Sequence, residues 1–108
     1  MHVLFDHGTP APLVPFLEDH TVTTAKDRGW DTLSNGDLIQ AAEAGGFDVL
    51  ITTDKNIRHQ QNWKGRRLAL IVLGTPRWPV VRKHVEKVVQ AVNMATSGSY
   101  IEVDLPLD

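Results

Sequence analysis

Apolar residues in this chain follow two rhythms, short unbroken runs and stretches spaced by three or four, and the two alternate along its length. Phe47 to Thr53, with Val49-Leu50-Ile51 at its centre and Asp54 directly after it, is one such run, and Leu68 to Leu73 is another. Runs rich in Val, Ile and Leu read as parallel strands buried on both faces. His2 to Phe5 has the same form, His20 to Thr24 is rich in β-branched residues, and Tyr100 to Val103 supplies a last strand. Helical patterns lie between them. Ser34 opens a helix whose apolar face is Leu38, Ile39, Ala41 and Ala42, and Gly45-Gly46 ends it. Trp78-Pro79 starts a long helix in which Val81, Val85, Val88, Val92 and Ala95 keep one face, stopped by Ser97-Gly98. Thr9-Pro10 reads as a helix start, with a side-chain cap and proline at the first helical position. Ala25 to Gly29 reads as one helical turn, and residues 55 to 62 as a short, irregular helix. Strands alternating with helices predict an α/β fold, a mostly parallel sheet between helical layers.

Length and composition narrow the class. The 108 residues suit one domain, spanning 1–108, with no linker, repeat or low-complexity segment. No run of about 18 apolar residues is present, so no membrane span is expected. The N-terminus lacks the basic and apolar regions of a signal peptide, and the absence of cysteine excludes disulfides and thiolate metal sites. A cytoplasmic protein is the expectation. The formal net charge of −2 does not advertise a nucleic-acid binder. A local basic cluster stands against that average: Lys55, Arg58, Lys64, Arg66 and Arg67, with His59 among them.

The chemistry on offer is acidic. Ligands of open α/β sheets bind beyond the carboxyl ends of the strands. Asp6 and Asp54 each follow a strand directly, and Asp37 falls in the first turn of the Ser34 helix. If those strands are neighbours the three carboxylates converge, and close carboxylates need a cation or a proton between them. Hard divalent ions such as Mg²⁺ or Mn²⁺ suit oxygen ligands, and such an ion activates water and offsets charge on a phosphodiester. Each aspartate also has a structural reading. Ser34-x-x-Asp37 matches a capping box, Asp54 can cap the segment after it, and Asp6 can bond the Gly8-Thr9 turn. Asp48 reads as a turn residue at the opposite strand end, and Glu43 as a solvated surface charge.

The histidines show no zinc spacing, although His7, beside Asp6, has the chemistry to reach a phosphate. The segment from Asn56 through Arg58 to Asn62 is dense in amides and cations that suit phosphate and sugar contacts. Trp63 and Trp78 read either as base-stacking platforms or as anchors of the core edge.

On Val3-Leu4-Phe5-Asp6-His7-Gly8-Thr9-Pro10, Asn35-Gly36-Asp37-Leu38 and Asp48-Val49-Leu50-Ile51-Thr52-Thr53-Asp54-Lys55-Asn56, the chain resembles the PIN-domain superfamily, in particular its short bacterial PIN-like branch. The resemblance runs over nearly the whole length. It implies a three-layer α/β/α sandwich with an acidic pocket at the strand ends. It further implies an Mg²⁺- or Mn²⁺-dependent ribonuclease, in many cases a toxin paired with a cognate antitoxin protein, and a homodimer. Asp6 and Asp54 match the motif aspartates and would be metal ligands. Asp37 matches the acidic residue of the intervening helix and would complete the set. Nothing else transfers from the resemblance; Lys55, Asn56 and Arg58 are read from their own chemistry as the residues that would meet the RNA phosphate.

Two departures reduce the negative charge: His7 and Asn56 stand where the branch often carries acids. The alternative they open is a PIN-like module that binds RNA or a protein partner without chemistry. A phosphoacceptor receiver-like domain, suggested by Asp54 and Thr75, would carry paired acids after the first strand and a lysine after the last, and this chain has neither.

Overall fold

A computed structural model of the chain describes residues 1–57 and 65–106. Five strands form one sheet: β1 (His2–Phe5), β2 (Thr21–Thr24), β3 (Val49–Thr52), β4 (Ala69–Leu73) and β5 (Tyr100–Val103). All are parallel, in the order β2-β1-β3-β4-β5. Among the described residues, three α-helices lie between them: α1 (Asn35–Ala44), α2 (Trp78–Lys83) and α3 (Val85–Met94). Two 3₁₀ segments, Ala11–Leu17 and Lys26–Arg28, flank β2.

The continuous apolar runs are explained by cover on both faces. Successive side chains of a strand point to opposite sides. Val3, Phe5, Val49, Ile51, Ala69, Ile71 and Leu73 accordingly meet Leu13 and Leu17 of the first 3₁₀ segment and Val81, Val88 and Val92 of α2 and α3. Leu4, Leu50, Leu70 and Val72 meet Leu38, Ile39 and Ala42 of α1. The result is helix, sheet, helix in three layers, as the alternation of rhythms predicts.

Two elements differ from the sequence reading. Thr9 does not cap the helix that follows. Pro10 is the residue at that boundary, with no side-chain cap, and Pro15 sits inside a 3₁₀ rather than an α-helical turn. The Thr9 hydroxyl is drawn instead toward the end of β3, as described below. The long valine helix is in fact two helices, because His84 leaves the helical region (φ −125°, ψ 26°). Its Nε2 lies 2.9 Å from the Pro106 carbonyl, which ties the break to the chain leaving β5. The apolar stripe is kept through the break, so its periodicity carries no sign of it.

All five strands run the same way, so their carboxyl ends share one edge of the sheet. Asp6 follows β1 and Asp54 lies just beyond β3, its immediate neighbour. Asp48 sits at the other edge, where its carboxylate accepts from the His2 amide at 2.8 Å, in keeping with its expected turn role.

Candidate functional site

The centre of the carboxyl edge is Asp6, 9% exposed, with Thr52 beneath it at 1%. A buried carboxylate needs donors, and three groups of the chain serve it. The Gly8 amide and the Thr9 hydroxyl donate to Oδ1, at 3.2 and 2.7 Å. The Thr52 hydroxyl donates to Oδ2. Thr9 Oγ1 is also 2.8 Å from the Ile51 carbonyl, so this side chain pins the turn after β1 onto the end of β3. The turn passes close to β3 at Gly8: a Cβ at this position would lie 2.7 Å from Thr53 Oγ1, so that side chain would have to shift.

Thr52 joins the two aspartates. While its hydroxyl donates to Asp6, its oxygen accepts from the Asp54 amide at 3.2 Å. Asp54, half-buried, takes the Asn56 amide on Oδ1 (2.9 Å) and the Asn35 side-chain amide on Oδ2 (2.7 Å). Asn35 is the first residue of α1, so this bond brings the helix start onto the strand end.

Asp37 lies elsewhere. It is exposed, and its backbone amide donates to Ser34 Oγ at 3.3 Å, which is the capping half of the sequence reading. Helix geometry accounts for the placement. Residues advance by about 100° around the axis, so positions two apart point nearly opposite ways. Asn35 shares the stripe of Leu38, Ile39 and Ala42 that faces the sheet, and Asp37 therefore faces away. Asp6 and Asp54 follow adjacent strands and are linked through Thr52, whose hydroxyl bonds the Asp6 carboxylate and accepts from the Asp54 backbone amide, and Asp37 takes no part in that link. Among the described residues, no group of three or more His, Asp or Glu side chains could hold a metal ion. The donor set does fit a sparer site. Asp6 and Asp54 offer hard oxygen atoms, and Mg²⁺ is commonly bound by one or two carboxylates with waters and substrate phosphates completing its shell.

The remaining candidates divide between the two edges. Lys55 and Asn56 lie at the carboxyl edge, both exposed. Arg58, His59, Trp63 and Lys64 fall outside the described residues. Arg66 and Arg67 precede β4 and belong to the amino edge. Arg66 Nη1 pairs with Glu43 Oε1 at 2.8 Å, and the Arg67 amide donates to Glu43 Oε2 at 3.2 Å. Glu43 is thus no solvated surface charge. Burial pushes its carboxyl up, but the Arg66 bond, the Arg67 amide and the Arg66 charge outweigh this and hold it below its ordinary value. The basic cluster read from the sequence is split, with two of its cations committed to structure.

His7 is exposed beside Asp6. Trp78 is half-buried, packs on the core and meets Phe16 with ring centroids 6.0 Å apart, the anchoring role. Thr75 Oγ1 accepts from the Arg77 amide at 3.1 Å and shapes the turn into α2. Asn35 and Thr52 were missed as site residues. The apolar stripe of α1 already placed Asn35 on the sheet side, and Thr52 ends a strand next to the one that leads into Asp6. No family model, no curated protein and no solved structure matches the chain.

Proposed function

We propose that the carboxyl edge is the active site of a metal-dependent ribonuclease of PIN-like type, hydrolysing RNA phosphodiesters. The observation that carries this reading is that Asp6 and Asp54 follow adjacent parallel strands, with Thr52 bonded to the Asp6 carboxylate and to the Asp54 backbone amide. Asp6 and Asp54 would hold Mg²⁺ or Mn²⁺. Bound there, such an ion supplies a nucleophilic water at neutral pH and offsets charge on the phosphodiester. Thr52, Thr9 and the Gly8 amide fix the Asp6 carboxylate, and Asn35 and the Asn56 amide fix Asp54. Lys55 and Asn56 stand beside them for the phosphate. A toxin role with a cognate antitoxin, and a homodimer, follow from the same resemblance.

A second reading has its own observation. Both Asp6 oxygens already receive donors from the chain, and hydrogen bonds to a carboxylate stabilise its charge without a cation. This favours a PIN-like module that binds RNA or a protein partner and does no chemistry.

Cleavage of labelled RNA in Mn²⁺, Mg²⁺ or EDTA, beside Asp54→Asn, separates the two. Metal-dependent cleavage lost in Asp54→Asn is the expected result. Cleavage that survives the substitution removes the proposed site, and no cleavage under any condition selects the binding module.

A further inference from the structure

A cavity of about 550 Å³ opens beside this site, between the carboxyl ends of β4 and β5. Lys55, Val72, Gly74, Thr75, Glu102 and Leu105 line it, together with Val103 and Asp104. Its size is in the range of pockets for small organic ligands, and its walls combine apolar side chains with a few charged ones, as such pockets do. Lys55 is the link to the carboxylates, since it follows Asp54 directly in the chain. Its side chain runs across Gly74, where a Cβ would stand 3.3 Å from Lys55 Cε and 3.8 Å from Nζ. The missing side chain at Gly74 is what lets the lysine lie over the end of β4 and into the cavity.

The charges within it are ordered. The cation is on the side of Asp54, and the carboxylates of Glu102 and Asp104 are on the β5 side. Glu102 is oriented by the Tyr100 hydroxyl, which donates to its Oε1 at 3.2 Å. A phosphodiester backbone is attracted to the first side, where the Lys55 ammonium can meet a phosphate. A strand of RNA would therefore pass by Lys55 and turn a base toward β5, where a carboxylate accepts from exocyclic amino groups. Val72, Val103 and Leu105 offer apolar contact to the face of the base.

We propose that this cavity is a nucleotide subsite in which Lys55 takes a backbone phosphate and Glu102 reads an amino-bearing base. The proposal rests on the reading of the neighbouring edge as an RNA site, but it needs no catalysis.

The test is the binding of short single-stranded oligonucleotides to the intact chain in EDTA over a range of salt, with wild type, Lys55→Met, Lys55→Arg, Glu102→Gln and Asp54→Asn. Lys55→Met is expected to weaken binding about 5- to 10-fold and to reduce the salt slope by about 0.7, the contribution of one phosphate contact on a single strand. Lys55→Arg should restore both. Wild type should prefer oligo-C to oligo-U, and Glu102→Gln should narrow that preference. Wild type that binds no RNA, Lys55→Met within twofold of wild type with an unchanged slope, or an oligo-C preference untouched by Glu102→Gln each overturns the subsite. Binding that depends on Lys55 and Glu102 in a protein that cleaves nothing in the metal assay would leave the subsite standing and remove the nuclease.

Discussion

Asp6 and Asp54 look alike in the sequence, each an aspartate after a strand, yet the structure gives them different tolerances. Asp6 receives donors on both oxygens, from Gly8, Thr9 and Thr52, in a buried setting. An amide in its place turns an NH₂ group toward at least one of those donors. Asp6→Asn should therefore cost about 1–3 kcal/mol, the penalty for leaving a buried polar group unsatisfied. Asp54 is half-buried, and one of its partners is the Asn35 amide, which can reverse to present its oxygen. Asp54→Asn should change stability by less than about 1 kcal/mol. Thermal melting of the two variants decides this, because a domain of this size loses roughly 4–8 °C per kcal/mol. Equal melting temperatures would show that the three donors to Asp6 contribute little. Sequence reasoning placed both residues at strand ends correctly, because an aspartate after an apolar run leaves few alternatives. It had no access to which donors would meet each carboxylate. Asn35 stands in one of the quoted motifs, but its charged neighbour Asp37 takes the site role in the sequence reading, although the stripe of α1 turns Asp37 away from the sheet.

Elements were legible where a hydrophobic period extended across them and illegible where a single backbone angle decided. The strands follow from apolar runs or, for β2, from β-branched residues, and the start of α1 follows from the Ser34 cap. The break at His84 does not, because the valine stripe keeps its face on both sides of it. The expected stop at Ser97-Gly98 is displaced as well, since α3 ends at Met94. Ser97 and Gly98 serve a different purpose. The Ser97 hydroxyl and the Gly98 amide both donate to the Arg67 carbonyl, at 3.0 and 2.9 Å, and so attach the turn before β5 to the start of β4. Gly98 holds φ +78°, and a Cβ there would stand 2.5 Å from the Arg66 carbonyl oxygen. Backbone cannot yield as a side-chain tip can. Gly98→Ala should cost about 1–3 kcal/mol from left-handed strain alone, with the contact adding to it. Gly29→Ala is the internal comparison, with a similar φ of +74° and nothing within 4 Å of the added atom. Urea midpoints of the two variants should therefore differ, with Gly98→Ala the lower. Identical midpoints would mean that the turn relaxes at no cost.

At the scale of the whole molecule, the parallel sheet separates what the sequence presents as one feature. Lys55, Arg66 and Arg67 are close in the chain, but β3 and β4 carry their neighbourhoods to opposite edges. A four-residue strand spans about 13 Å, beyond the roughly 8 Å over which exposed charges act at physiological salt. Arg66 and Arg67 are held by Glu43, so they should belong to stability and Lys55 to ligand binding. The sign of the Glu43 contribution follows from its lowered pKa. A carboxyl with a folded-state value below its unfolded one stabilises fully at pH above the unfolded value and loses that stabilisation as pH falls through the folded one. Glu43→Gln should therefore lower stability at pH 7 by about 1 kcal/mol, the scale of a charge-assisted bond near the surface, and the gap to wild type should close as acidification protonates the carboxyl. RNA binding by the same variant should stay within twofold of wild type at neutral pH. Denaturant melts at pH 7 and pH 3.5, run beside the oligonucleotide titration, measure both quantities. A stability gap that stays constant down the acid range, as far as the fold persists, would assign the effect to packing around Glu43 rather than to its charge. Binding lost with Glu43→Gln would make the amino edge part of the RNA surface, and the division of the basic residues between the two edges would be wrong.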